Sequence, residues 1–168
     1  MELSFHTGVE DTLGHTRQLV LKGLRRGWSV AVVGPAQVLE PLDRYLWVAD
    51  PQDFVPHVVA QVGDEPIATA TLALSPVVLL DRRAGWPAER PAPALVIDLH
   101  AAETPPQASS SAPMAAADDA AVDWAEWPAR HRVQVIGVSP PSVQRGRVLW
   151  RQAQQQGLGP RHVSVGSP

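Results

Sequence analysis

With 168 residues, 45% of them hydrophobic and 18% charged, the chain has room for a single domain, 1–168, with a substantial core. Its formal net charge of −3, with Lys22 the only lysine, argues against a protein that grips nucleic acid unaided, so any role around DNA is expected to run through protein partners or a local basic patch. The absence of cysteine removes disulfides, thiolate metal sites and cysteine nucleophiles; with no signal-peptide pattern and no apolar run near the roughly 20 residues of a membrane span, the expected setting is the cytoplasm, away from any membrane.

Glu2 to Thr7 reads as a short first strand. Asp11 to Arg26 has helical spacing in Leu13, Leu19 (or Val20) and Leu24, and Gly27 stands where a helix-ending glycine belongs. Val30 to Val33 is a β-branched apolar run, a buried strand, punctuated by Gly34-Pro35. Val38 to Trp47 returns to helical spacing through Val38, Leu42, Tyr45 and Leu46. The order β, α, β, α points to an α/β domain with a mainly parallel sheet and helices on its faces.

Asp50 to His57 reads as a proline-bounded loop. Of the apolar stretches Ala68 to Leu74 and Val77 to Leu80, one or both should be strand, and Ala94 to Leu99 is a clear buried strand. The Ala, Pro and Ser run within 103–117 reads as a flexible low-complexity loop, because it has too little to bury. Asp118 to Arg130 suits a helix and Arg132 to Val138 a strand. Pro141 to Gln156 is the last helix, opened by proline and closed by Gly157, and His162 to Val165 suits a final strand.

Catalytic and cofactor patterns are sparse. The turn Val33-Gly34-Pro35-Ala36 lacks both glycine-rich phosphate-binding signatures, and its proline removes an amide that such a cradle would use, so no nucleotide-binding loop and no cofactor are expected. The six histidines show no metal-ligand spacing, and His57, after Pro56, suits a hydrogen-bonding structural role. Asp98 and His100 end a predicted strand, where α/β enzymes place catalytic groups. They support the alternative of a small hydrolase-like enzyme, against the plainer reading of a polar strand terminus.

Six tryptophans against two phenylalanines and one tyrosine turn attention to protein contacts, which Trp and Arg anchor. One cluster joins the helix end at Trp47 to a rigid loop that should present Phe54 and Val55, unless these aromatics fold back on the core. The other is the last helix. Val143, Arg147, Trp150, Arg151 and Gln154 fall on one face, while Gly146, Leu149 and Ala153 fall on another suited to packing on a sheet. Arginines around a tryptophan fit an acidic peptide with an apolar anchor, the alternative being a solvated face with Trp150 partly buried. Exposed tryptophans could also stack single-stranded nucleic acid, but the charge opposes it.

The run Leu42-Asp43, Leu46-Trp47 and Phe54-Val55-Pro56-His57 resembles the most specific motif of the chi subunit family of bacterial DNA polymerase III. A weaker likeness extends over nearly the whole chain, with 103–117 as an insertion and no role for Trp124 or Trp127. The resemblance implies a Rossmann-like three-layer fold without a nucleotide site and an accessory role without catalysis. It implies a contact with the psi subunit, or another clamp-loader subunit, through Trp47 and Phe54. It also implies binding of the acidic C-terminal tail of single-stranded DNA-binding protein through Arg147, Trp150 and Arg151. The expected function is therefore to link the clamp-loader complex to that protein.

Overall fold

The computed structural model describes residues 1–48, 54–60, 74–82, 86, 90–100, 124 and 129–166. In chain order the elements are β1 (Glu2–Val9), α1 (Thr12–Leu24), β2 (Val30–Gly34), α2 (Ala36–Val48), β3 (His57–Ala60), β4 (Val77–Asp81), β5 (Leu95–Asp98), β6 (His131–Gly137), α3 (Pro140–Gln155) and β7 (Arg161–Ser164). The low-complexity run 103–117, most of the expected 118–130 helix, the possible strand at 68–73 and Trp127 lie outside the described residues. The strand His57–Ala60 is unexpected: it begins at the last residue of the expected Asp50 to His57 loop and runs on through residues that carry no assignment from sequence. It is four residues long and follows Pro56, too short for a periodic signal. No helix among the described residues is long and apolar enough to cross a membrane.

The seven strands form one sheet in the order β3-β4-β2-β5-β6-β1-β7, and every neighbouring pair is parallel. β2, β4 and β5 are buried almost end to end, as continuous apolar runs must be when both faces of a parallel sheet are covered. On one face Val32, Leu79, Ile97 and Val133 meet Val20 of α1 and Leu39, Leu42 and Leu46 of α2 in a continuous core. On the other face Leu3, Phe5 and Ile136 meet Leu149 and Ala153 of α3. Ala31, Val33, Val78, Leu80 and Val96 form a separate cluster farther along that same face. The result is the three-layer α/β arrangement that the sequence predicts.

The gap between those two clusters is polar. Pairing of β5 with β6 sets Val96 beside Arg132 and Asp98 beside Gln134, on the face that carries Ile136 two residues later. Asp98 and Arg132 are buried. Arg132 Nε donates to Asp98 Oδ2 at 2.6 Å and Nη2 to Oδ1 at 3.1 Å, a bidentate pair, and Gln134 Nε2 donates to the same carboxylate. Trp124, itself buried, covers the guanidinium at 5.0 Å and accepts from it through its carbonyl.

α3 begins at Ser139, whose hydroxyl accepts from Ser142 N, with Pro140 and Pro141 in the first turn where no amide is required. Gly146 allows the helix to approach β6: a Cβ there would stand 3.0 Å from Ile136 Cγ2. Gly157 ends α3 at φ +73°, as its position predicts, and turns the chain toward β7. Because β7 lies beyond β1, α3 crosses over β1 to reach it.

Candidate functional site

That crossing leaves a groove of about 680 Å³ between α3 and the β1–β7 edge of the sheet. Phe5, Ile136 and Gly146 line its apolar interior, and Val143 and Trp150 flank it from α3. Trp150 is half-buried, its ring edge-on to Phe5 at 5.1 Å between centroids. Arg147 and Arg151, one turn apart, are exposed at the mouth. They also line an adjoining depression of about 620 Å³ with Val138, Pro140 and Gln144. The arginines thus stand on a ridge between two hollows. Among the described residues neither meets a carboxylate; Arg151 Nε donates only to the carbonyl of Arg147. Two uncompensated guanidinium groups beside an apolar hollow are suited to a ligand that is anionic along its length and apolar at one point.

The structure brings together Val143, Arg147, Trp150 and Arg151 as the helical spacing requires, while Gln154 lies exposed one turn on. Gly146, Leu149 and Ala153 are the buried face. The groove has a second wall that helical spacing could not disclose. Thr7 lies on β1 and His162 on β7, and Thr7 Oγ1 is 2.7 Å from His162 Nε2. Alternation in β1 marks Leu3 and Phe5 as one face, but nothing local reveals that β7 lies beside it.

A second exposed surface lies where α2 meets β3. Trp47 is 56% exposed and Phe54 55%, with ring centroids 5.3 Å apart. Neither folds back on the core. The expectation that the loop presents Val55 is corrected: Val55 is fully buried in the core beneath α2, while Phe54 and Pro56 on either side of it are exposed, because the apolar layer under α2 takes up the middle residue of the segment. His57 has the structural role expected of it. Nδ1 donates to the Val55 carbonyl at 2.7 Å, Nε2 meets Asp43 Oδ1 at 2.9 Å, and the ring lies 5.3 Å from that of Trp47. This fastens the 54–57 segment to α2 and holds the two aromatics together.

Asp98 and His100 do not join either surface. Burial alone would raise the Asp98 pKa, but the Arg132 guanidinium, with Arg82 and His100 behind it, holds the carboxyl below its ordinary value. His100 Nε2 is 2.8 Å from Gln134 Oε1, and burial, reinforced by Arg82, pushes the ring down to about 4. Both carboxylate oxygens of Asp98 are taken up by the ion pair inside the fold. No cluster of three or more potential metal ligands occurs among the described residues.

A comparison with known families places these surfaces in context. The DNA polymerase III chi subunit family, HolC, matches residues 1–161. The chain belongs to the chi family. As a chi-family chain it is an accessory subunit of DNA polymerase III, and the match takes in both exposed surfaces apart from most of β7. No curated protein sequence matches the chain.

Proposed function

We propose that this chi-family chain links the clamp-loader complex to single-stranded DNA-binding protein by holding that protein's acidic C-terminal tail in the α3 groove. The observation that carries this reading is the pairing of Arg147 and Arg151, without carboxylate partners among the described residues, with an apolar hollow floored by Phe5 and Ile136. The arginines take the acidic residues and the hollow takes the apolar end. The surface of Trp47 and Phe54, supported from beneath by Val55 and fastened by His57, is the counterpart that docks on psi or another clamp-loader subunit.

The two surfaces sit toward opposite ends of the strand order, one near β3 and the other at β1 and β7, so the partners do not compete for space. The mechanism is tethering: two modest contacts on one rigid body raise the effective concentration of each partner near the other, with DNA reached through the protein that coats it. Calorimetric titration of the full chain with the tail peptide tests the reading. The intact peptide should bind, added salt should weaken it, and removal of its terminal apolar residue should abolish it. A tail that fails to bind, or binds equally after truncation, overturns the assignment.

A further inference from the structure

We infer that the amino edge of the sheet is a contact for the phosphate backbone of single-stranded nucleic acid, carried by Lys22, Arg25, Arg26 and Arg130. The inference goes beyond the tethering role and does not depend on it. All seven strands are parallel, so their first residues share one edge, and α1 ends at that edge before β2 begins. Lys22 lies in the last turn of α1, Arg25 and Arg26 follow it, and Arg130 stands just before β6. All four are exposed, and none meets a carboxylate among the described residues. Arg161 adds a further cation at the start of β7, two strands from β6 and about 10 Å along the edge. Glu2, at the start of β1, is shared between Arg161 at 2.9 Å and His131 at 3.1 Å. The formal charge of −3 conceals this patch: most of the 17 acidic residues lie outside the described residues, whereas every Lys and Arg but Arg83 lies within them.

The geometry favours a phosphate over either a base or an acidic peptide. Gly27, at φ +68°, turns the chain out of α1, with Gly27 N donating to Leu24 O at 2.9 Å and Trp28 N to Gly23 O at 3.1 Å. Carbonyls at the helix end are thereby engaged, and Arg25 and Arg26 sit on a fixed turn. His131 stacks on the Trp28 ring at 4.6 Å and 15°, and the Arg26 guanidinium lies over the ring at 5.0 Å. The ring is taken up by these neighbours, so it offers no platform for a base and no apolar anchor of the kind the α3 groove provides. What the stack does offer is a guanidinium held in place, the planar fork that pairs with two phosphate oxygens. A single strand can bend to bring successive phosphates onto cations distributed over α1 and β6, whereas a duplex, stiff over about 150 bp, cannot.

The test is fluorescence anisotropy of a labelled oligothymidylate titrated with the full chain at low salt. Wild type should bind, with a slope of log K against log salt of about −3, roughly 0.7 for each of four phosphates. Arg25→Ala with Arg26→Ala should weaken binding at least about tenfold and flatten the slope by about 1.4. Arg26→Lys, which keeps the charge and gives up the stacked fork, should weaken it about threefold. Both arginines are exposed at a helix end, so urea midpoints should not move. The tail peptide should bind the double variant as it binds wild type, which separates this contact from the α3 groove. A wild-type chain that fails to bind the oligonucleotide, a double variant that binds like wild type, or binding lost only with Arg147→Ala and Arg151→Ala overturns the inference and leaves the tail-binding reading standing. Tighter binding of a duplex of equal length also overturns it, as does tighter binding of polyglutamate of equal charge, which would make the edge a docking surface for an acidic protein.

Discussion

The pair of Asp98 and Arg132 makes a quantitative prediction. Asp98→Ala would remove the carboxylate and leave a guanidinium that is 1% exposed, with the Trp124 carbonyl as its one remaining acceptor among the described residues. Breaking a buried pair from one side costs about 3–5 kcal/mol, because the remaining charge is stranded. For a chain of this size each kcal/mol moves the melting temperature by about 2–4 °C, so the expected loss is roughly 6–20 °C. The double variant Asp98→Leu with Arg132→Met removes both charges and joins the two apolar clusters on that face. It should recover most of the loss, short by the about 1–2 kcal/mol that the Gln134 amide forfeits with its acceptor. Urea unfolding followed by tryptophan fluorescence measures all three chains. A single variant that loses less than about 1 kcal/mol, or a double variant no more stable than the single one, would refute this account of the buried pair.

Burial depresses His6 to about 4, with His15 and Lys22 adding to it; burial likewise depresses His15, and His100 also lies at about 4. Between about pH 4 and 6.5 the His6 and His100 rings stay neutral in the folded chain while the unfolded chain takes up protons, so their contribution is complete above about pH 6.5 and is lost as pH falls toward 4, with His15 acting in the same direction. Melting temperatures should be level above neutrality and decline through that window, and a profile that stays flat down to pH 4 contradicts it. At the α2–β3 surface, Trp47→Ser should change stability by about 1 kcal/mol or less yet abolish docking to psi in a pull-down, whereas Val55→Ala should cost about 2 kcal/mol, seen as a lower urea midpoint.

Much of the fold was legible because its signals are local. The run Val30 to Val33 and the segment Ala94 to Leu99 read as buried strands, and Gly27 and Gly157 marked helix ends that the backbone confirms with positive φ. The face of α3 followed from helical arithmetic alone, which placed Arg147, Trp150 and Arg151 together without reference to the sheet. What escaped depends on register between distant strands. Asp98 looked like a strand terminus or a catalytic group because its partner, Arg132, lies 34 residues on and faces it only through the β5–β6 pairing. Thr7 and His162, 155 residues apart, meet only because β7 returns to the far side of β1. Val55 was misplaced for a smaller reason: a proline-bounded segment was taken to expose both apolar residues, while the segment exposes Phe54 and Pro56 and turns Val55 into the core.

The polar bridge across the sheet also divides labour between the two halves of one face. The continuous slab under α1 and α2 acts as a keel, while the cluster of Leu3, Phe5, Ile136, Leu149 and Ala153 beneath the groove is insulated from the cluster at β2 and β4 by Asp98, Arg132 and Gln134. Substitutions that reshape the groove floor therefore meet α3 and β1 first, because on that face the polar bridge stands between them and the cluster at β2 and β4, and a change of volume there is answered by the helix that roofs it.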